Sequence, residues 1–266
     1  LASKYSQIQY KDFIMSKKPL PTSIPRTQKL VKTKWGNITY HAWGLGDQSI
    51  LLQRLVADED STVTTEERYD ALREIIEKNV VSYTDQTGKA LDPLEMPVFL
   101  SEFLLLKLRA ISIGETVDFV RPCGEGECKC ERVILSTNLD EATIIENENF
   151  QDEFKMGEYT FKLRFPSYRG TLELAELESL ENISEEVLSR FIDCVYTEDD
   201  AWYMNEYTQE EKNQFMKLLG SDFQLFVLEK YVKNMPKCSM TLKGTCPDCG
   251  HEHVLKLDSG VSKLFQ

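Results

Sequence analysis

Apolar and polar positions change period along the chain. In residues 29–33 and 37–43 β-branched and aromatic residues form two short strand-like runs, and Trp35-Gly36-Asn37 marks a turn between them, so a hairpin is expected. From Thr64 the period becomes helical. Thr64-x-x-Glu67 is a capping box, in which each end satisfies a backbone N–H of the other, and Tyr69, Leu72, Ile75 and Ile76 follow at helical spacing. Pro97 opens a second helix, because its missing N–H has no partner to lose there. Phe99, Leu100, Phe103, Leu104, Leu106, Leu108 and Ile111 cover more than one face of it, which places it at the centre of the fold, and Gly114 closes it.

Further along, residues 116–121 and 132–136 read as strands. Residues 138–158 are acidic, 159–165 alternate as a strand, and Pro166 stops that strand. A short helix is expected at 48–55, another at 172–180 and a longer one at 184–196, on whose stripe Cys194 stands as a small apolar residue. Thr208-x-x-Glu211 is a second capping box. After Gly220 comes a helix with Phe223, Phe226, Val227, Tyr231 and Val232 on one stripe, ended by Pro236. Residues 238–243 and 254–257 close the pattern as strands. The pattern predicts an α+β fold with a mainly helical body and small β-hairpins. Four regions are expected: an extended arm at 1–25, an α+β region at 26–137, an acidic strand and helical region at 138–220, and a helix with its hairpin at 221–266, packing back on 97–137.

A repeat lies inside this pattern. Helix, strand, cysteine loop, strand occurs at 97–136 and again at 221–257. The first loop is Cys123-Gly-Glu-Gly-Glu-Cys128 with Cys130 beyond it, and the second is Cys246-Pro-Asp-Cys249 with His251 beyond it. Tetrahedral zinc takes two ligands from each of two such knuckles, so Cys123, Cys128, Cys246 and Cys249 are the expected ligands of a zinc-ribbon-like site. Cys130 is the alternate in the first loop, and His251 or His253 an imidazole alternate in the second. Four thiolates also suit an iron–sulfur cluster. Two unrelated hairpins with unliganded thiols are the plainer reading. A redox pair fits less well, because CxxC in that role stands near a βαβ pattern and here it stands between strands. Cys238 is either a core residue or a spare ligand.

Seven cysteines, five of them in or beside the two loops, favour metal over disulfide in a reducing compartment. No apolar run approaches a membrane span, and the stretch LASKYSQIQYKDF at residues 1–13 has no apolar leader region, so synthesis in a cytoplasm without membrane insertion is expected. The net charge of −13 argues against a nucleic-acid binder. The charge is uneven: residues 1–34 hold eight Lys/Arg against one acid, leaving 23 basic and 43 acidic residues elsewhere. Lys4, Lys11, Lys17 and Lys18 therefore make an arm suited to an acidic surface, its own or a partner's. Trp202 and Tyr203, just after Asp199-Asp200, are a second candidate partner-binding patch, unless they only pack their loop onto the body.

Catalytic constellations are absent from the pattern. Three histidines are too few for the usual triads outside the cysteine loops, and His41 beside Trp43 reads as structural. Gly44-x-Gly46 lacks the rest of a phosphate loop. No enzyme activity is expected.

The stretches PLPTSIPRTQKLVKTKWGNITYHAWGLGDQSILL, YDALREIIEKN and MPVFLSEFLLLKLRAISIGETVDF resemble the baseplate hub subunits of T-even-type contractile-tailed bacteriophages. The most specific phrase is Leu-Lys-Leu-Arg-Ala-x-Ser-x-Gly-Glu at residues 106–115. YTFKLRFPSY and FVLEKYVKNMPK, followed by a strand and a CxxC, extend the resemblance over residues 19–257. It implies a non-enzymatic structural or assembly protein of the virion tail baseplate. Its partners would be other baseplate or hub proteins, with a second copy of the chain as a further candidate. The family's cysteines match Cys246 and Cys249, whereas the first loop departs by an inserted Gly-Glu-Gly-Glu and by Cys130. The competing expectations are a zinc-ribbon adaptor for nucleic acid or polymerase, and a thiol oxidoreductase using Cys246 and Cys249.

Overall fold

The computed structural model describes residues 25–48, 64–167 and 185–258. The helices expected at 48–55 (beyond Gln48) and 172–180, and the arm lysines Lys4, Lys11, Lys17 and Lys18, lie outside them.

The first hairpin forms as its alternation predicts. Strands β1 (Gln28–Thr33) and β2 (Gly36–His41) pair in antiparallel register. Thr64 caps α1 (Thr65–Asn79) with both halves of the capping box in place, and Leu72, Ile75 and Ile76 turn inward. The chain then enters β3 (Val80–Thr84) and β4 (Ala90–Leu91), completing a sheet of order β1-β2-β3-β4.

Helix α2 (Val98–Ser112) starts directly after Pro97, and ten of its fifteen residues are buried. It contacts β2 on one side; on another it meets the 3₁₀ turn at Leu139–Glu141 and two strands still to come. Even Lys107 is buried here. Its ammonium donates to the carbonyl oxygens of Leu139 (3.3 Å) and Asp140 (2.7 Å), and desolvation holds its pKa below the ordinary lysine value.

Beyond α2 come β5 (Thr116–Arg121), β6 (Val133–Asn138) and β7 (Thr143–Ile145). Next are β8 (Glu153–Met156), β9 (Tyr159–Leu163), helix α3 (Glu185–Ser189), β10 (Ile192–Tyr196) and β11 (Ala201–Tyr203). The second capping box opens α4 (Gln209–Met216), and α5 (Ser221–Phe226) runs into a π-helical turn at Val227–Tyr231. The chain ends its described part with β12 (Lys237–Thr245) and β13 (Glu252–Leu257).

These strands build a second sheet, β11-β10-β9-β8, and a third, β13-β12-β6-β5, on whose β12 the short β7 also pairs. The expectation of a mainly helical body is therefore corrected. The fold is α+β with three antiparallel sheets, and among the described residues strand slightly exceeds helix. The clearest departure is at 184–196. Val187, Leu188, Phe191, Ile192 and Val195 fit a helical stripe, yet the helix stops at Ser189, and Ile192–Tyr196 becomes the strand between β9 and β11. A short apolar run satisfies both periods, and pairing on both edges decides in favour of the β-branched and aromatic residues. Cys194 is thus a half-buried strand residue.

Two hydrophobic cores result. The first gathers α1, α2 and the first and third sheets; the second gathers the β8–β11 sheet with α3, α4 and α5. Phe165 packs against both, 5.2 Å from Phe99 and 5.4 Å from Phe150, and the Tyr231 hydroxyl donates to the Arg164 carbonyl beside it. The two helix–strand–knuckle–strand segments share one sheet, but their helices serve different cores: α2 the first, α5 the second.

Candidate metal centre

Both cysteine loops leave the same end of the third sheet. β12 and β6 run antiparallel with Lys243 opposite Ser136, so the loop after Thr245 and the loop before Val133 emerge side by side. This neighbouring depends on Gly244. A Cβ there would come within 2.0 Å of the Ile134 carbonyl oxygen, closer than atoms can approach, so only glycine lets β6 lie this near.

Each loop closes in the same way. The amide of Cys123 donates to the carbonyl of Cys130 (2.9 Å), and that of Cys246 donates to the carbonyl of His251 (2.9 Å). Gly250 (φ +74°) carries the sharp turn that returns the chain after Cys249, and Gly124 and Gly126 do the same in the first loop.

The closures bring four sulfurs together. Those of Cys123, Cys128, Cys246 and Cys249 all lie within 4.8 Å of one another, a set that could hold a metal ion. Cys123 and Cys249 are 3.7 Å apart, and Cys128 and Cys246 3.8 Å, each pair spanning the two loops. Metal–sulfur bonds of about 2.3 Å at tetrahedral angles give sulfur–sulfur edges of about 3.8 Å. Both cross-loop edges match that figure.

The electrostatics differ between the sulfurs. Backbone amides of Cys249 and Asp248 aimed at Cys246 lower its thiol pKa to about 6. Cys123, almost fully buried, is pushed up to about 12 by desolvation. A cation is the natural remedy for a buried sulfur that resists ionisation, since coordination supplies the missing charge.

The alternates sort themselves by position. Cys130 is buried in the first core, outside the four-sulfur group. Cys238, on β12 opposite Ile144, is buried in the same core. His251 is exposed, its Nε2 3.6 Å from the Glu125 carboxylate. His253, not His251, reaches the sulfurs, with Nε2 3.2 Å from Cys123 Sγ. Strand alternation carries the signal for this, since His253 shares the inward parity of Leu255 and Leu257, whereas Glu252, Val254 and Lys256 face solvent.

The other candidate patch sits on the second sheet. Trp202 is half-buried and lines an apolar groove of about 560 Å³ with Met156, Tyr159, Phe215, Leu218 and Leu219, and Tyr203 beside it is 51% exposed. The turns at 157–158 and 197–200 lie at the same end of this sheet, since Tyr196 pairs with Thr160, and they carry Glu158, Glu198, Asp199 and Asp200. His41 is structural in place: Arg26 lies 3.4 Å from its Nδ1 and also bonds the Ala42 carbonyl.

The family model for T4 bacteriophage base plate protein matches residues 23–266. No curated protein and no solved structure matches the chain. Among the described residues no helix is long and apolar enough to cross a membrane.

Proposed function

The chain belongs to the T4 bacteriophage base plate protein family, and we propose that within it this protein is a non-catalytic component of the central hub, acting in baseplate assembly through contacts with its neighbours. The observation that carries the reading is the family match over nearly the whole chain. The four sulfurs at one sheet end support a structural role: Cys123, Cys128, Cys246 and Cys249 hold zinc and fasten two hairpins that are far apart in sequence. All four ligand positions are filled by protein in such a site, as suits a staple rather than a reaction centre. The exposed charges around the loops, Glu125, Glu127, Glu131, Asp248 and Glu252 against Lys129 and Arg132, favour a protein partner over nucleic acid.

The groove at Trp202 is the proposed contact surface. Its occupant is a segment of a neighbouring baseplate protein that presents apolar side chains flanked by Lys or Arg, because the groove is apolar and its sheet-end turns are acidic. The arm at residues 1–25 is the second proposed contact, through Lys4, Lys11, Lys17 and Lys18, with an acidic neighbour.

The test is co-expression of the tagged full chain with the other tail proteins of its phage, followed by mass spectrometry of purified complexes and particles. A hub component co-purifies with hub neighbours, and Trp202→Ala with Tyr203→Ala weakens that association by more than the modest fall in melting temperature from removing the half-buried Trp202 ring accounts for. A chain that associates with no tail protein removes the reading. Elemental analysis of the purified chain separates zinc from iron, and one ion per chain is expected.

A further inference from the structure

Among the ring nitrogens near the sulfur group, His253 Nε2 stands out by distance. It lies 3.2 Å from Cys123 Sγ, and the residue is only 9% exposed. Two ligands of one tetrahedral ion, one sulfur and one imidazole nitrogen, sit about 3.5 Å apart when their bonds are about 2.3 and 2.0 Å long. The observed separation is shorter than that edge and matches a hydrogen bond to sulfur. His253 also stands outside the group of mutually close ligand atoms. The imidazole is therefore placed as a donor to a ligand, and not as a ligand.

The need for such a donor follows from charge. Four thiolates around a divalent ion leave two negative charges in excess, on a chain that already carries −13. Cys249 is exposed and Cys128 half-exposed, so water can solvate them. Cys123 is buried, and its sulfur depends on protein donors. His253 belongs to the other hairpin: Cys123 follows β5, whereas His253 lies in β13, opposite Gly244. Its ring is held edge-to-face against His251, with centroids 4.8 Å apart, and His251 is in turn beside Glu125 of the first loop.

We propose that His253 is a positioning residue for the metal centre: its Nε2–H donates across the hairpins to the Cys123 thiolate, steadying the sulfur and quenching its reactivity. This rests on the reading of the four cysteines as a metal site. Donors of this kind to metal ligands are worth roughly 10- to 100-fold in metal affinity.

The experiment uses the full chain loaded with zinc or cobalt(II). Competition with a chromogenic chelator is expected to show His253→Leu binding zinc at least about 10-fold more weakly, while His253→Gln, which keeps an N–H, retains most of the affinity. Alkylation by iodoacetamide is expected to be faster in the zinc-loaded Leu variant than in wild type, a change that a packing role alone would not reverse in the Gln variant. Should His253→Leu fail to fold, nitrogen-15 NMR of histidines in the zinc-loaded wild type still decides the matter. A proton on Nε2 is expected, and a metal-bound Nε2 without a proton overturns the proposal. Equal zinc affinity and alkylation rate in the Leu variant also overturn it. A wild-type chain that binds no metal removes the site itself, which is a separate result from a metal-binding chain indifferent to His253.

Discussion

Each of the cysteines near the site meets a different environment, and that makes their roles separable. Cys128 belongs to the four-sulfur group, whereas Cys130 packs in the core two residues later. Cys128→Ser is expected to abolish stoichiometric metal binding, while Cys130→Ser keeps it and lowers stability through a hydroxyl placed in the core; metal content and a thermal melt distinguish the two. The metal-free chain should show a signed pH dependence. Cys246 has a folded value of about 6, below the roughly 8.5 of an ordinary thiol, so its contribution is present above the ordinary value and lost as pH falls through about 6. Cys123 is shifted the other way, so its contribution is present below the ordinary value and lost as pH rises above it. Urea midpoints of the metal-free chain should therefore rise between about pH 6 and 8.5, and Cys246→Ser should remove that rise. At this scale the sequence was informative about which residue types cluster. It was less so about His251 and His253, because spacing favours the nearer histidine and only strand parity favours the other.

Among the elements, the legible ones announce themselves locally. Two capping boxes, Thr64–Glu67 and Thr208–Glu211, mark helix starts because the partners lie three residues apart. The paired cysteine loops were legible because both hairpins keep their own alternation. The strands β7, β8 and β11 were not, since they are three or four residues long and lie among acids, and β7 in addition takes its partner, β12, from distant sequence. Ile192–Tyr196 was misread for the related reason that its neighbours β9 and β11, not its own period, make it a strand. The joint between the two hairpins is the element-scale feature that the sequence conceals entirely, because Gly244 resembles any strand glycine. Gly244→Ala is expected to cost about 1–3 kcal/mol, the usual penalty of forcing extra atoms into close packing. It should weaken metal binding as well, because pushing β12 from β6 separates Cys246 and Cys249 from Cys123 and Cys128. A melt and a chelator titration of the same variant check both effects; loss of stability with unchanged metal affinity would show that the sheet and the site are not coupled.

For the whole molecule, the two cores predict where metal removal is felt. Cys123 and Cys246 are members of the first core, together with α2 and the inner faces of the third sheet. The second core holds Phe161, Phe223, Val227 and Tyr231 and contains no member of the sulfur group. Losing the ion takes away binding energy that acts as folding energy for the two knuckles, and the loss must propagate along the elements they end. Hydrogen exchange with and without a strong chelator is expected to quicken in β5, β6, β12 and β13, and more weakly in α2. Exchange in β8–β11 should stay as it was, because Phe165, which packs against both cores, lies far along the chain from either loop. If the second sheet loosened as much as the first, the ion would be holding the entire fold and the groove at Trp202 with it. If only the third sheet loosened, the contact surface would survive metal loss, and association with a neighbour through Trp202 and Tyr203 should persist in chelator while the knuckles open.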